Sequence, residues 1–304
     1  MRLLFCLGLL LCSSTLRAQQ EVVVQSLDGT LLSAWWFKPS SDSIPEVPRP
    51  VVVALHGCGG LYASTGERKG LLNARHQAMG TMLQGMGYHV VFPDSLTARG
   101  ETSLCVQAIG TRNIGQTQRR SDAFGALAWV RAQPWADPAR VAVIGWSHGG
   151  SAVLAVTQAV LGPLTVPLTK SAGDVDQRGA ASTKPFKTAI AFYPGCSDSL
   201  AKKYQPNTSL TLFLGADDDW TPPGPCIALM QRLKAASPPS PHSLELHVYP
   251  NAVHDFDTPL PGVRERKEIP SRLHPGKGVM AGQNLAAREA SYKRLQEILQ
   301  AALR

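Results

Sequence analysis

A run of apolar, largely β-branched residues, Val141-Ala142-Val143-Ile144, passes directly into Gly145-Trp146-Ser147-His148-Gly149, and a small-residue stretch of helical character comes next. Few folds accept that succession. A G-x-S-x-G pentapeptide between a buried strand and a helix marks a strained turn that lifts a serine hydroxyl above the end of a sheet. The segment therefore predicts a sheet with crossover helices and makes Ser147 a candidate nucleophile.

The flanking sequence supplies the elements such a sheet needs. Glu21–Gln25 and Leu31–Phe37, on either side of Asp28-Gly29, read as an antiparallel hairpin. Pro39 to Pro50, rich in Pro and Ser, reads as a loop. Val51–Leu55 reads as a buried strand that ends in His56-Gly57-Cys58-Gly59-Gly60. A helix is expected over Arg75–Met86, a strand over His89–Phe92 and an irregular surface excursion from Asp94 to Gln116. Ala123, Ala126, Leu127 and Val130 recur at helical spacing within Gln118–Ala132. Gly149–Val160 is the helix behind the serine, and Leu161–Pro185 reads as a polar loop. Strands are expected over Thr188–Phe192, Ser209–Leu214 and Leu244–Tyr249, and helices over Pro225–Ala236 and Leu285–Leu303. No element is assigned between Phe256 and Leu285. Alternation of strand and helix implies a mostly parallel α/β sheet covered on both faces, with the ligand crevice at the carboxyl ends of its strands.

The first residues read as an export signal over 1–18: Arg2, the apolar run from Leu3 to Cys12, and a cleavage site near Thr15-Leu16-Arg17-Ala18. That run is too short to span a bilayer. The remaining stretch, 19–304, is the length of one α/β domain, with no stable membrane insertion and a periplasmic or secreted location expected. The formal charge of the 304-residue chain is +8. The basic residues are scattered apart from short groupings such as Arg264-Glu265-Arg266-Lys267, without interleaved aromatics, so a solvated surface is expected and nucleic acid is not a partner. Removal of Cys6 and Cys12 with the signal leaves Cys58, Cys105, Cys196 and Cys226 in an oxidising compartment, where an even count favours disulfides. Their spacing lacks the C-x-x-C form of a zinc site, and no metal is expected.

A serine nucleophile needs a base and an acid to orient it, and both should come after later strands. Gly215-Ala216-Asp217-Asp218-Asp219-Trp220-Thr221-Pro222 comes after the strand ending at Leu214. Pro250-Asn251-Ala252-Val253-His254-Asp255-Phe256 comes after the strand ending at Tyr249. His254 is the expected base, and one of the three neighbouring aspartates the acid. The oxyanion donors are expected to be the backbone N–H of His148, next to the nucleophile, and that of Cys58, on the loop after Val51–Leu55. The side chains of His56 and His148 are expected to be structural.

The order Ser, Asp, His is that of the α/β-hydrolases. Within them the chain resembles the dienelactone hydrolase family, through "HGCGG" at 56–60, "DSLTARG" at 94–100, "GWSHGG" at 145–150, "FYPGC" at 192–196, "DDWTPP" at 218–223 and "VYPNAVHDFD" at 248–257. The resemblance spans nearly all of the expected mature chain. It implies an α/β-hydrolase fold and selects Asp218 as the triad acid, because the family's aspartate lies four residues before a proline and Pro222 fits. It also places Arg99 near a carboxylate-binding arginine of the family; Trp146 and Trp220 are further candidate substrate contacts. Ser147 stands where dienelactone-cleaving members carry cysteine, so an exported esterase of more general substrate range is implied. The cysteines fall on the same motifs, and neighbouring strand ends favour the pairs Cys58 with Cys105 and Cys196 with Cys226.

The expected function is hydrolysis of a small-molecule carboxylic ester through an acyl-enzyme, without a cofactor. The alternatives are an exopeptidase or amidase, a polyester hydrolase and a catalytically silent binding protein on the same fold. The oligomeric state is left open.

Overall fold

Val51–Leu55 and Val141–Ile144 are buried at every position, which requires strands covered on both faces. The computed structural model describes residues 18–39, 47–108, 110–159, 186–197 and 203–304. The export signal expected over 1–18, except Ala18, the loop Leu161–Pro185 and most of the loop Pro39–Pro50 lie outside the described residues.

The strands are β1 (Gln19–Gln25), β2 (Leu31–Phe37), β3 (Arg49–Leu55), β4 (His89–Pro93), β5 (Ala136–Trp146), β6 (Thr188–Phe192), β7 (Ser209–Gly215) and β8 (Leu244–Tyr249). They pair in the order β1-β2-β4-β3-β5-β6-β7-β8. The hairpin β1–β2 is antiparallel and joins β4 antiparallel through β2, and every other neighbour is parallel. The helices are α1 (Ala74–Gly85), α2 (Gln116–Arg131), α3 (His148–Thr157), α4 (Gly224–Lys234) and α5 (Leu285–Ala302). Asn73 and Asn284 start α1 and α5 by accepting the backbone N–H groups of Arg75 and Ala287, which satisfies donors that have no partner inside the helix.

The two-residue period of a strand sorts the core into two layers. Val51, Val53, Leu55, Val141 and Val143 pack with α2, α3 and α4 through Leu127, Val153 and Leu229. The alternate residues Val52, Ala54, Ala142 and Ile144 pack with α1 and α5 through Leu83, Leu295 and Leu299. The fold is the α/β architecture expected, with its antiparallel N-terminal hairpin.

Three features differ from the expected elements. β5 begins at Ala136, ahead of the apolar run, and its register with β3 shifts between Arg49 and Val51. The local cause is Asp137, whose carboxylate accepts the backbone N–H of Ala139 and pairs with Arg140. The excursion after Asp94 is irregular, but it is not merely surface: Leu96, Leu104 and Ile114 are buried around Cys58 and Cys105. Finally, a ribbon of two strands, β9 (Val263–Pro270) and β10 (Gly278–Gly282), occupies the stretch with no assigned element. β9 reads VRERKEIP and buries Ile269 alone, so it lacks the apolar alternation that announces a strand.

Candidate active site

Ser147 sits at the junction of β5 and α3 with φ 51° and ψ −116°, a positive φ that few non-glycine residues adopt. The flanking glycines permit the turn. A Cβ on Gly149 would lie 2.0 Å from the carbonyl oxygen of Leu55, and one on Gly145 would lie 2.4 Å from that of Gly149. Ser147 donates its N–H to Phe192 of β6 at 2.9 Å, and its carbonyl accepts from Ser151 at 2.8 Å. The hydroxyl is thereby held at the carboxyl end of the sheet, at the wall of a cavity of about 470 Å3.

His254 lines the same cavity from the loop after β8. Its Nδ1 donates to Oδ2 of Asp218 at 2.8 Å, and both side chains are 1% exposed. Asp218 lies past the end of β7, where its Oδ1 accepts the N–H groups of Trp220 and Thr221 at 2.9 and 2.8 Å. Thr221 places its hydroxyl 2.9 Å from Asp218 Oδ2, 3.1 Å from His254 Nδ1 and 3.0 Å from the carbonyl of Tyr193. Burial pushes the His254 imidazole toward lower pKa, but the adjacent Asp218 carboxylate outweighs it and the net shift is upward from 6.5. With Nδ1–H committed to Asp218, a neutral His254 keeps Nε2 as its acceptor.

The aspartate triplet separates by burial. Asp217 is exposed, whereas Asp218 and Asp219 are 1% and 3% exposed. Asp219 accepts the N–H of Met280 in β10 at 2.8 Å, so it ties the ribbon to the acid loop and does not face His254.

Cys58 lines the cavity beside Gly57 and Gly59, and His148 opens α3, where a backbone N–H has no partner within the helix. The disulfides join Cys58 to Cys105 and Cys196 to Cys226. The ring of His56 is fully buried, accepts at Nε2 from Ser95 N–H and Arg119, and is pushed well below its ordinary pKa by burial and by Arg119. His148 is pushed down to about 2 by burial and the same arginine, so both imidazoles are neutral.

Two expected substrate contacts lie elsewhere. Arg99 is held by both oxygens of Asp122 at 2.7 and 3.0 Å and by Asp28 at 2.7 Å, and does not reach the cavity. With its guanidinium shared between two carboxylates, it fastens the excursion to α2 and the hairpin turn. Trp146 has no exposed surface and donates Nε1 to Asp257 Oδ2 at 2.8 Å. It points into the core because alternate side chains of β5 face opposite sides of the sheet. Trp220, by contrast, lines the cavity with its ring 4.6 Å from that of His254.

A second group of residues was not anticipated. The Asp257 carboxylate, with no exposed surface, accepts the Tyr193 hydroxyl at 2.5 Å, Trp146 Nε1 at 2.8 Å and the Tyr292 hydroxyl at 3.2 Å. Arg75 of α1 donates to Tyr193 and pairs with Asp255 at 3.0 Å. Asp257 closes the "HDFD" motif, which was the available signal, but nothing in that motif marked the distant donors. The ribbon is the other addition. Gly282 N–H donates to the carbonyl of His254 at 2.9 Å, Arg266 lies 5.6 Å from the Trp220 ring centre, and Arg264, Glu265, Arg266 and Glu268 face the cavity.

The model of the X-Pro dipeptidyl-peptidase (S15) family matches residues 28–190, and that of the dienelactone hydrolase family matches residues 173–303. The probable dipeptidyl-aminopeptidase B of Arthroderma gypseum is 26% identical over 233 residues, which are 71% of this chain and 23% of that protein. The chain thus spans about a quarter of that curated relative's length. A dienelactone hydrolase-like promiscuous phosphotriesterase from metagenomic libraries superposes with a TM-score of 0.63 at 19% identity, covering 94% of this chain and 100% of the other. A putative dienelactone hydrolase of Klebsiella pneumoniae gives 0.63 at 16% identity, covering 93% and 98%. Esterase 2 of Thermogutta terrifontis, phosphorylated by paraoxon, gives 0.57 at 18%, covering 93% and 95%. At these identities the structures speak for the fold, while the S15 model spans Ser147 and the dienelactone hydrolase model spans Asp218 and His254. The chain belongs to the X-Pro dipeptidyl-peptidase (S15) family, whose model matches more than half of it, within the α/β-hydrolase superfamily, and over residues 173–303 it is also matched by the dienelactone hydrolase family.

Proposed function

We propose that this protein hydrolyses carboxylic esters, with Ser147 as nucleophile, His254 as base and Asp218 as the acid that orients it. The observation that carries the reading is the 2.8 Å bond from His254 to buried Asp218, with His254 and Ser147 on the wall of one cavity. A serine hydroxyl is not ionised at neutral pH, so attack on the carbonyl carbon requires His254 Nε2 to take its proton. The N–H groups of His148 and Cys58 receive the oxyanion. His254 then passes the proton to the departing alcohol oxygen as the ester C–O bond breaks. Water, deprotonated by His254, releases the acid from Ser147 and returns the proton to its oxygen.

Residues 1–18 serve as an export signal for a periplasmic or secreted domain over 19–304. The two disulfides agree with an oxidising compartment, and no helix among the described residues is long and apolar enough to cross a membrane. The partner is a small-molecule ester.

Peptide cleavage is the second reading, favoured by the S15 match over 28–190 and by the dipeptidyl-aminopeptidase relative. Initial rates on p-nitrophenyl acetate and on an aminoacyl-proline anilide separate the two. The ester should be cleaved with the higher kcat/KM, and Ser147→Ala should lower kcat by roughly 10⁴- to 10⁶-fold while leaving the circular dichroism unchanged. Faster cleavage of the anilide favours the peptidase, and equal rates in wild type and Ser147→Ala favour a silent binding protein.

A further inference from the structure

The wall of the cavity beside Ser147 carries no aliphatic side chain among the described residues. Glycines and the Cys58–Cys105 disulfide form the side nearest the oxyanion loop, and Tyr62 and Trp220 are the aromatic surfaces. The remainder is polar. Ser64, Thr65, Asn73 and Ser103 offer hydroxyls and an amide, and the ribbon and α1 contribute charges of both signs.

Those charges balance. Arg75, Arg264 and Arg266 line the same space as Asp255, Glu265 and Glu268, with Arg75 and Asp255 paired at 3.0 Å, Arg266 and Glu268 at 2.5 Å, and Glu265 accepting the Gly278 N–H at 2.7 Å. His76 adds no charge, since burial and Arg75 push it down to about 3. A fatty chain entering here would strip water from these groups and return no hydrogen bonds. A strongly anionic or cationic ligand would meet as much repulsion as attraction. An uncharged ligand dense in hydroxyls, each both donor and acceptor, satisfies carboxylates, guanidinium groups and hydroxyls together. The cavity volume of about 470 Å3 suits a ring with a few substituents.

We propose that the site takes short-acyl esters of polyhydroxylated, sugar-like alcohols, an assignment that rests on the ester-hydrolase reading above. The small acyl group occupies the glycine side, and the alcohol lies toward the ribbon, where Glu268 and Arg264, on one face of β9, accept from and donate to its hydroxyls. In the reaction Ser147 Oγ adds to the acyl carbon, and the tetrahedral intermediate collapses as the acyl C–O bond to the sugar oxygen breaks and His254 delivers the serine proton to that oxygen. Water then completes hydrolysis.

Two primary-alcohol acetates with leaving groups of similar strength test this: 6-O-acetylglucose and cyclohexylmethyl acetate. The purified protein should show at least tenfold higher kcat/KM for the sugar ester, through a lower KM, and p-nitrophenyl acetate should exceed p-nitrophenyl octanoate. Glu268→Ala should raise KM for the sugar ester and shrink the preference. Cyclohexylmethyl acetate cleaved as well as the sugar ester, or octanoate cleaved faster than acetate, overturns the substrate assignment but leaves the esterase reading standing. Cleavage of an aminoacyl-proline anilide with no hydrolysis of any ester overturns both.

Discussion

The active site is held from two sides by different physics. Beneath His254, Asp257 is a buried carboxylate with three hydroxyl or ring N–H donors drawn from β5, the end of β6 and α5. Above it, the β9–β10 ribbon is largely exposed along β9 and reaches the loops after β7 and β8 through the Met280 N–H on Asp219, the Gly282 N–H on the His254 carbonyl and Arg266 against Trp220. A satisfied buried network has one low-energy arrangement, whereas an exposed strand of charges tolerates many. On the reading proposed above, the underside fixes where His254 and Ser147 stand, and the ribbon shapes what enters.

Removing the central acceptor on the buried side should give the largest effect. Asp257→Ala leaves the Trp146 indole N–H and the Tyr193 hydroxyl without their acceptor and takes the carboxylate from the Tyr292 hydroxyl, and should cost about 3–5 kcal/mol. For a domain of this size that lowers the melting temperature by roughly ten degrees, read by thermal denaturation. A shift of only a degree or two would show the network to be dispensable.

On the ribbon side the effect should be smaller and of another kind. Asp219→Ala strands the N–H of Met280, a loss of about 1–3 kcal/mol, and should raise KM more than it lowers kcat. Asp219→Asn keeps an acceptor oxygen in place and should restore most of the KM. If both variants lose kcat equally, with KM unchanged, Asp219 supports the chemistry directly and the division between underside and roof fails.

The mildest test uses pH. The net upward shift of His254 from 6.5 places its titration above the ordinary histidine value. Neutral imidazole is the active form, so kcat/KM for a neutral ester should rise with pH through an inflection above 6.5 and then level off. In Asp218→Asn the carboxylate that raises the pKa is gone while burial still depresses it, so the inflection should move down. An unchanged inflection in that variant would separate Asp218 from His254.

The same division explains what was legible in the sequence. β3 and β5 are buried on both faces, so their apolar runs announce them, and strand ends are where α/β sheets place chemistry. The proposed triad residues were expected from their places after strands: Ser147 and Asp218 come after the buried β5 and β7, and His254 after the half-buried β8. Arg99 and Trp146 were misplaced because a motif gives neighbours in sequence and not the direction of a side chain: Asp28 and Asp122 claim the first, and the pleat of β5 turns the second inward. The ribbon was invisible because the side chains of β9 mostly face solvent or the cavity, and the buried β10 is a five-residue run that begins and ends in glycine. Asp257 was visible as a residue of "HDFD" and opaque in role, since its partners Trp146, Tyr193 and Tyr292 are brought to it only by folding.

The central claim is that Ser147, activated by the His254–Asp218 pair, forms the covalent acyl intermediate. Incubation with an activated organophosphate such as paraoxon, with peptide mapping of the product, tests it most directly. The expected result is one diethylphosphoryl group per chain, on Ser147, formed in step with loss of esterase activity and absent in Ser147→Ala. An active protein whose Ser147 stays unmodified while another residue carries the label would contradict it.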